Sequence, residues 1–309
     1  MLAIFLKTLP FFAVIGIGYA AARSRFITPD GTAWLTRFVF FFALSAMLFR
    51  LAANLSLAEI WDPHLVAAYL AATGLLFLGV FCAARMRGES LGPATIEAQC
   101  AAIGNTGFLG IPMLGLLLGP ASGGPLLLIL TIDSVIFASI ATLLITASRE
   151  GRLRLQSVRA LGLGLLRNPM IASMVAGFLW SGLRLPLPGP LDETLDLLGR
   201  SATPCALFVI GASLADKSAE RLGVAGWLAF AKLALHPVLA AGMALWFFEV
   251  EATAARVMIA AAALPVAGNV YILARHYGVA PQRVSAAILL STAASIVTLP
   301  VVIARVAGY

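Results

Sequence analysis

Successive apolar stretches, each about 20 residues long, fill most of this 309-residue chain and leave only short polar interruptions between them. A bilayer hydrocarbon core of about 30 Å needs a helix of roughly 20 apolar residues, because lipid offers no partner for free backbone groups. Hydrophobic residues make up 61% of the chain and charged residues 11%. The pattern predicts an all-α polytopic membrane protein with almost nothing left for a soluble domain.

The apolar stretches predict ten transmembrane spans, although poorly marked ends at the sixth and seventh leave counts of nine or eleven open. The predicted spans are 2–22, 33–53, 65–85, 94–118, 125–147, 169–184, 197–214, 224–248, 254–277 and 284–307. Lys and Arg concentrate in the loops that follow odd-numbered spans, which predicts that these loops are cytoplasmic and that both termini lie outside. The net charge of +7 therefore indicates topology and not nucleic-acid binding.

The longest and most basic loop, at 149–168, divides five predicted spans from five. We therefore expect a first five-helix repeat at 1–148, a basic cytoplasmic connection at 149–168 and a second repeat at 169–309. Because five is an odd number, the second unit starts on the opposite face of the membrane. Duplicated halves would then be related by inverted topology.

The fourth span of each half contains helix-breaking residues near its middle: GNTGFLGIP at 104–112 and LPVAGN at 264–269. Proline removes a helix hydrogen bond and glycine weakens the helix, so backbone groups are freed where no bulk water can satisfy them. Simple kinking or close packing is the alternative explanation. The matched positions, each with an asparagine that is costly to bury unpaired, favour the binding site of a carrier.

The segment GNTGFLGIPML at 104–114 is similar to a motif of the auxin efflux carrier family, which includes plant PIN-type exporters and bacterial carriers often called malonate or malate transporters. The resemblance covers most of the chain, since further matches are RNPMIASMVAGFL at 167–179, LFVIGASL at 207–214, ALPVAGN and HYGV within 263–279, and STAASIVTLPVV at 291–302.

This resemblance implies ten transmembrane helices in two inverted five-helix repeats, with broken helices 4 and 9 crossing, as in bile-acid symporters and NhaA-type antiporters. It also implies a scaffold part, a transport part that moves by elevator-type alternating access, and residence in the bacterial inner (plasma) membrane. A homodimer is an assembly that the resemblance allows. One departure is Ser45, which stands where the family commonly has proline, so the second helix is expected to be straighter.

The resemblance places substrate beside the crossing, at Asn105, Pro112, Pro265 and Asn269. Helices that begin at mid-membrane present free amide groups and a partial positive charge, which favour an anion. We expect a carboxylate that is oriented by the two asparagines, with the neighbouring hydroxyl of Thr106 as a further donor. The alternative role for these side chains is to pair the broken backbone.

Ionisable residues at membrane depth cost about 2.5–3.5 kcal/mol each on insertion scales, so each is a candidate for coupling or charge compensation. Asp133 is either a proton acceptor or cation ligand, or a carboxylate paired with a basic neighbour. Lys232 and His236 could offset an anionic substrate or exchange protons. The alternatives are a lysine that snorkels to the interface and a core histidine whose hydrogen bonds are satisfied. Glu97 is either a gate or an ordinary helix-start acid, hydrated at the cytoplasmic mouth.

No cofactor or resident metal is expected, because the three cysteines and three histidines lack the spacing of ligand motifs. Proton coupling, sodium coupling and uncoupled transport stay open. The ninth span has no acid between Ala254 and Gly278, whereas hydroxyl oxygens for sodium could come from the tenth span, at Ser291, Thr292, Ser295 and Thr298.

The expected partners are a small-molecule organic anion and the lipid bilayer. An intramembrane enzyme is disfavoured, because no HExxH motif occurs and no span pairs Ser with Lys or His recognisably. We therefore predict secondary transport of carboxylates such as malonate, malate or an auxin-like aromatic acid by alternating access. A sodium-coupled symporter of the bile-acid type and a non-transporting receptor or channel are the alternatives.

Overall fold

The computed structural model describes residues 2–55, 60–150, 162, 167–215 and 222–306. Most of the predicted connection at 149–168 lies outside these residues. Within them the chain is helical and contains no strand. Its helices are α1 (Leu2–Arg23), α2 (Pro29–Ala53), α3 (Pro63–Met86), α4 (Leu91–Ala102), α5 (Thr106–Leu118), α6 (Pro120–Arg149), α7 (Pro169–Gly182), α8 (Gly189–Ala215), α9 (Leu222–Phe247), α10 (Ala252–Ala262), α11 (Gly268–Tyr277) and α12 (Pro281–Val306).

Seven of the described helices, α1, α2, α3, α6, α8, α9 and α12, are long and apolar enough to cross a membrane. Three shorter apolar helices, α5, α7 and α10, accompany them. The prediction of an all-helical integral membrane protein is therefore confirmed. The regions predicted as the fourth and ninth spans are each divided into two helices, α4 with α5 and α10 with α11.

Helix starts follow local sequence signals. Helices α2, α3 and α7 begin with proline directly after a capping residue, and the side chains of Thr28, Asp62 and Asn168 each accept a bond from a first-turn amide. The Glu251 carboxylate accepts from the amides of Thr253 and Ala254 at the start of α10, and these bonds hold the pKa of Glu251 below its ordinary value. Caps of this kind fix where each helix enters the bundle.

Helix α8 starts at Gly189, although the span was predicted to begin at 197. The additional turns carry Asp192 and Asp196, and the guanidinium of Arg50 on α2 donates to both carboxylates, at 2.7 and 2.8 Å. Acidic residues also stabilise the amino end of a helix. The charges that marked this segment as a loop therefore belong to the helix itself.

The described helices pack in two groups. Helices α1, α2, α7 and α8 pack mainly on one another, whereas α3, α4, α6, α9, α10, α11 and α12 form the second group. Helix α5 lies between them and contacts α1 and α8 of the first group and α6 of the second. Helix α2 is continuous through Ser45, and a π-helical turn at Val39–Ala43 precedes this residue.

Glycine permits backbone contact between helices of the first group. A Cβ atom on Gly18 of α1 would lie 2.1 Å from the carbonyl oxygen of Phe208 on α8, and one on Gly211 of α8 would lie 1.8 Å from that of Ile15. On α7, a Cβ on Gly177 would lie 2.6 Å from a carbonyl oxygen of α2. Small residues allow this approach in lipid, where dispersion contacts hold helices together.

We expect Gly18→Ala to destabilise the protein by about 2 kcal/mol, because the added methyl group meets a backbone carbonyl that cannot yield locally. Gly16→Ala is the matched control, since it lies on the same helix and no atom lies within 4 Å of its added Cβ. The control should be neutral or slightly stabilising, as alanine favours helix. Thermal unfolding in detergent compares the two variants, and equal midpoints would contradict the contact.

Candidate functional site

The chain is interrupted between α4 and α5 and again between α10 and α11, and the two interruptions lie side by side. The amide of Asn105 donates to the carbonyl oxygen of Pro265 at 2.9 Å, and the amide of Ala267 donates to that of Ile103 at 3.1 Å. Gly104 and Val266 form an antiparallel bridge between them. These bonds pair some of the backbone N–H and C=O groups that the interruptions leave free. Such pairing is needed where no bulk water reaches the backbone.

The two prolines of the candidate site have different positions. Pro265 lies in the second interruption, where its carbonyl accepts from the first. Pro112 lies inside α5, near the start of the α-helical part Ile111–Leu118 that follows a π-helical turn at Thr106–Gly110. The expectation that 104–112 as a whole breaks the helix is therefore wrong. Pro112 lies two residues after the π-helical turn, where the bonding already departs from the regular pattern of an α-helix.

Both α5 and α11 begin at these interruptions, so the positive ends of two helix dipoles lie next to the bridge. In the described part of the chain, the amides of Gly107 and Phe108 at the start of α5 have no backbone acceptor, nor do those of Gly268 and Asn269 at the start of α11. Free first-turn amides of this kind bind anions in many proteins.

The side chains of Asn105 and Thr106 lie beside these amides. Asn105 is 8% exposed, and its side chain makes no hydrogen bond to a described residue. The Thr106 hydroxyl is buried and is likewise without a partner there. A buried polar group left unpaired costs about 1–3 kcal/mol, so both groups favour a ligand or water. Asn269, by contrast, is exposed, so the two asparagines have different environments.

Lys232 on α9 connects the interruptions to a buried polar network. Its ammonium donates to the carbonyl oxygen of Ala262, the last residue of α10, at 2.6 Å, and lies 2.8 Å from Nδ1 of His236. The other ring nitrogen of His236 lies 3.0 Å from the Thr73 hydroxyl. Lys232 is 0% exposed and so does not snorkel. A cation at the carboxyl end of a helix also stabilises it.

Asp133 on α6 lies close to this network and is buried. The hydroxyl of Tyr69 donates to its Oδ1 at 2.8 Å, whereas Oδ2 has no partner among the described residues. Asp133 forms no ion pair with Lys232 in the described structure, and the two are joined through the ring of Tyr69, which lies 6.0 Å from that of His236. The direct partner of this carboxylate is therefore a tyrosine and not the basic neighbour that was considered.

Three of the candidate residues lie where the helix geometry is irregular. Thr106, Asp133 and Lys232 each lie in a π-helical turn, at Thr106–Gly110, Ile132–Phe137 and Ala231–Leu235. Such turns distort the regular bonding of a helix and occur frequently at functional sites. Three of the five π-helical turns in the described part of the chain thus carry residues selected from the sequence, and those at Val39–Ala43 and Met243–Phe247 carry none.

Glu97 is placed differently from the hydrated helix-start acid that was expected. It lies well inside α4, which begins at Leu91, and is 0% exposed. Its two carboxylate oxygens form ion pairs with Arg87 and Arg283, and Arg283 also pairs with Glu89 at 2.9 Å. Burial forces this pairing, since an isolated carboxylate away from water would be very unstable.

A cleft of about 540 Å³ opens between α2, α8 and the α5–α6 pair, with Arg50, Asp192 and Ile111 among its lining residues. Ile111 follows Asn105 by six positions, which corresponds to about 9 Å along a helix. Neither Asn105 nor Asn269 lines the cleft itself. The cleft therefore approaches the interruptions from one side and stops short of them.

A family model described as "Membrane transport protein" matches residues 3–303 of the chain. The chain belongs to this family. It is 30% identical over 296 residues to a Rhizobium meliloti (strain 1021) protein named "Putative malonate transporter", with 94% of this chain and 92% of the relative covered. It is 24% identical over 298 residues to "Uncharacterized transporter YfdV" of Escherichia coli (strain K12), with 94% of each covered.

A plant member, "Auxin efflux carrier component 8" of Arabidopsis thaliana, is 22% identical over 342 residues, with 91% of each chain covered. The resemblance to auxin efflux carriers, which the motifs predicted, is therefore confirmed.

Sequence reasoning missed two candidates of this membrane transport protein, Tyr69 and Thr73, which bind Asp133 and His236. Ser291, which was considered as an oxygen ligand for sodium, accepts from the amide of Val266 within the second interruption. One signal was available, since Tyr69 and Thr73 are four residues apart in an apolar span and so share a helix face.

Proposed function

We propose that this membrane transport protein is a secondary transporter of organic anions, with a carboxylate bound where the two helix interruptions meet. The observation that carries the proposal is the pairing of two helix amino ends, both with free amides, beside the buried and unpartnered side chain of Asn105. Malonate is the first candidate substrate, because a relative that matches nearly the whole chain carries that name. Malate and aromatic acids of the auxin type are the next candidates.

The proposed architecture is ten spans in two inverted repeats, residues 1–148 and 169–309. Helix pairing supports this architecture. Helix α1 packs on α8 through Gly18 and Gly211, and α7 packs on α2 through Gly177. Exchange of the two halves relates span one to span six and span seven to span two. The contact of spans one and seven, which are α1 and α8, therefore corresponds to the contact of spans six and two, which are α7 and α2. The interrupted helices correspond in the same way.

In the proposed transport cycle, α1, α2, α7 and α8 form the scaffold, and the remaining helices carry the site past it. The two packing groups support this division, since the cleft lies between α2 and α8 on one side and α5 and α6 on the other. An elevator motion would enlarge the cleft until it reaches Asn105. Substrate would then leave on the opposite side after the reverse movement.

Counterflow in proteoliposomes tests this function. Vesicles that hold unlabelled malonate should take up labelled malonate with saturable kinetics. Asn105→Ala should lower this uptake at least tenfold, which corresponds to about 1.4 kcal/mol of lost interaction. Asn105→Ala together with Asn269→Ala should lower it further. Gln282→Ala, which removes an exposed carboxamide at the start of α12 and outside the cleft, is the matched control.

Two results would overturn the proposal. One is unchanged malonate uptake in the double asparagine variant when the wild type transports it. The other is flux that rises linearly with concentration, because a pore without a binding site does not saturate. Replacing malonate with malate or an aromatic acid in the same vesicles identifies the preferred substrate. Dependence on sodium would favour a symporter of the bile-acid type.

A further inference from the structure

The second carboxylate oxygen of Asp133 is an acceptor that nothing in the described structure occupies. Tyr69 donates to Oδ1, whereas Oδ2 is enclosed and has no partner among the described residues. The titratable groups placed around this carboxylate are Tyr69 on α3, Lys232 on α9 and, beyond Lys232, His236. A proton is the smallest ligand that would satisfy the free oxygen and remove a buried negative charge.

Lys232 links the surroundings of Asp133 to the helix interruptions. Tyr69, which donates to Asp133, has its ring 6.0 Å from that of His236, and His236 contacts Lys232, whose ammonium holds the carbonyl end of α10. The ammonium lies against the first interruption as well, since a Cβ placed on Gly104 would be 3.2 Å from Nζ. One cation therefore faces both the carboxylate and the place where the anion would bind.

We propose that Asp133 Oδ2 is a proton-binding site, and that its occupation and carboxylate binding at the interruptions favour one another. This inference rests on the proposed function. With Asp133 ionised, its charge offsets that of Lys232. With Asp133 protonated, the positive charge of Lys232 is free to attract the substrate anion. By thermodynamic linkage, bound substrate raises proton affinity by the same factor, so the two are carried together.

The proton step changes a single bond. A proton from water on one side of the membrane adds to Oδ2 and forms an O–H bond, while Tyr69 continues to donate to Oδ1. The same bond breaks when the proton returns to water on the other side. Neither the substrate nor any other side chain gains or loses a covalent bond.

The first test measures malonate affinity against pH by calorimetry in detergent. Between about pH 8.5 and about pH 7 both carboxylates of malonate stay ionised, because their pKa values lie below this range. Wild-type affinity should rise as the pH falls, by at most about tenfold per pH unit for one proton. Asp133→Asn imitates the protonated state, so its affinity should be high and independent of pH. Asp30→Asn is the matched control at an exposed position and should behave as wild type.

If Asp133→Asn does not fold, a second variant, Tyr69→Phe, tests the proton site. Tyr69→Phe keeps the carboxylate but removes the donor to Oδ1, so the pH at which malonate affinity changes should move. A merely structural role for this tyrosine would lower the unfolding temperature and leave that pH unchanged. An unchanged midpoint in folded Tyr69→Phe protein would overturn the proton site.

The second test separates this inference from the proposed function. With the membrane potential clamped, an inward proton gradient should drive malonate accumulation by wild type, whereas Asp133→Asn should retain counterflow without accumulation. Counterflow by wild type with affinity independent of pH, or accumulation driven by sodium alone, would overturn proton coupling and leave the proposed function standing. Absence of malonate, malate and aromatic-acid binding at every pH would remove the proposed function itself.

Discussion

Replacing Glu97 with glutamine is expected to destabilise this membrane transport protein by about 3 kcal/mol, because it removes the central charge of a buried ion-pair network. Glu97 is fully buried and pairs with both Arg87 and Arg283. Arg87 reaches water with 40% of its side chain and can be hydrated when the partner is lost. Arg283 is only 7% exposed and keeps Glu89 alone as a partner, so most of the cost arises from its incompletely compensated charge.

Glu89→Gln is the matched control, because Glu89 binds the same arginine from a more exposed position. We expect it to cost about 1 kcal/mol or less, since water screens such a pair. Unfolding in detergent by denaturant measures both changes. Equal losses for the two variants would contradict the central role of Glu97. Adding Arg283→Met to a Glu97→Leu variant should recover stability, because the buried charges then disappear together.

The position of each helix interruption was predictable from the sequence, but its extent was not. Proline, glycine and asparagine at 104–112 indicated a break near Asn105, yet Ile103 belongs to it without any signal, and Pro112 does not belong to it. The reason is local, since proline interrupts a helix only where an amide is needed. Before Pro112 the π-helical turn has already altered the regular bonding of the helix, and the chain stays helical through this proline.

The burial of Glu97 was not predictable, because its partners come from other parts of the chain. Arg87 follows α3 and Arg283 lies at the start of α12, and only the folded bundle brings them to one carboxylate. The free oxygen of Asp133 depends in the same way on Tyr69. Sequence therefore indicated which residues are costly at membrane depth, whereas their partners required the tertiary structure.

Replacing Lys232 with methionine is expected to weaken carboxylate binding at least tenfold and to abolish its dependence on pH. The substitution removes the cation that faces both Asp133 and the first interruption. It also leaves the carbonyl oxygen of Ala262 without its donor, at a cost of about 1–3 kcal/mol in stability. Lys7→Met, at an exposed position on α1, is the matched control for loss of a positive charge.

The double variant Lys232→Met with Asp133→Asn separates the structural role of the lysine from its role toward substrate. Removing both charges leaves neither buried alone, so the double variant should be more stable than the sum of the single changes predicts, by about 1 kcal/mol or more. Its affinity for malonate should stay low, because no cation faces the anion. Strictly additive unfolding energies would show that the two charges do not interact. Recovered affinity would show that Lys232 acts only by compensating Asp133.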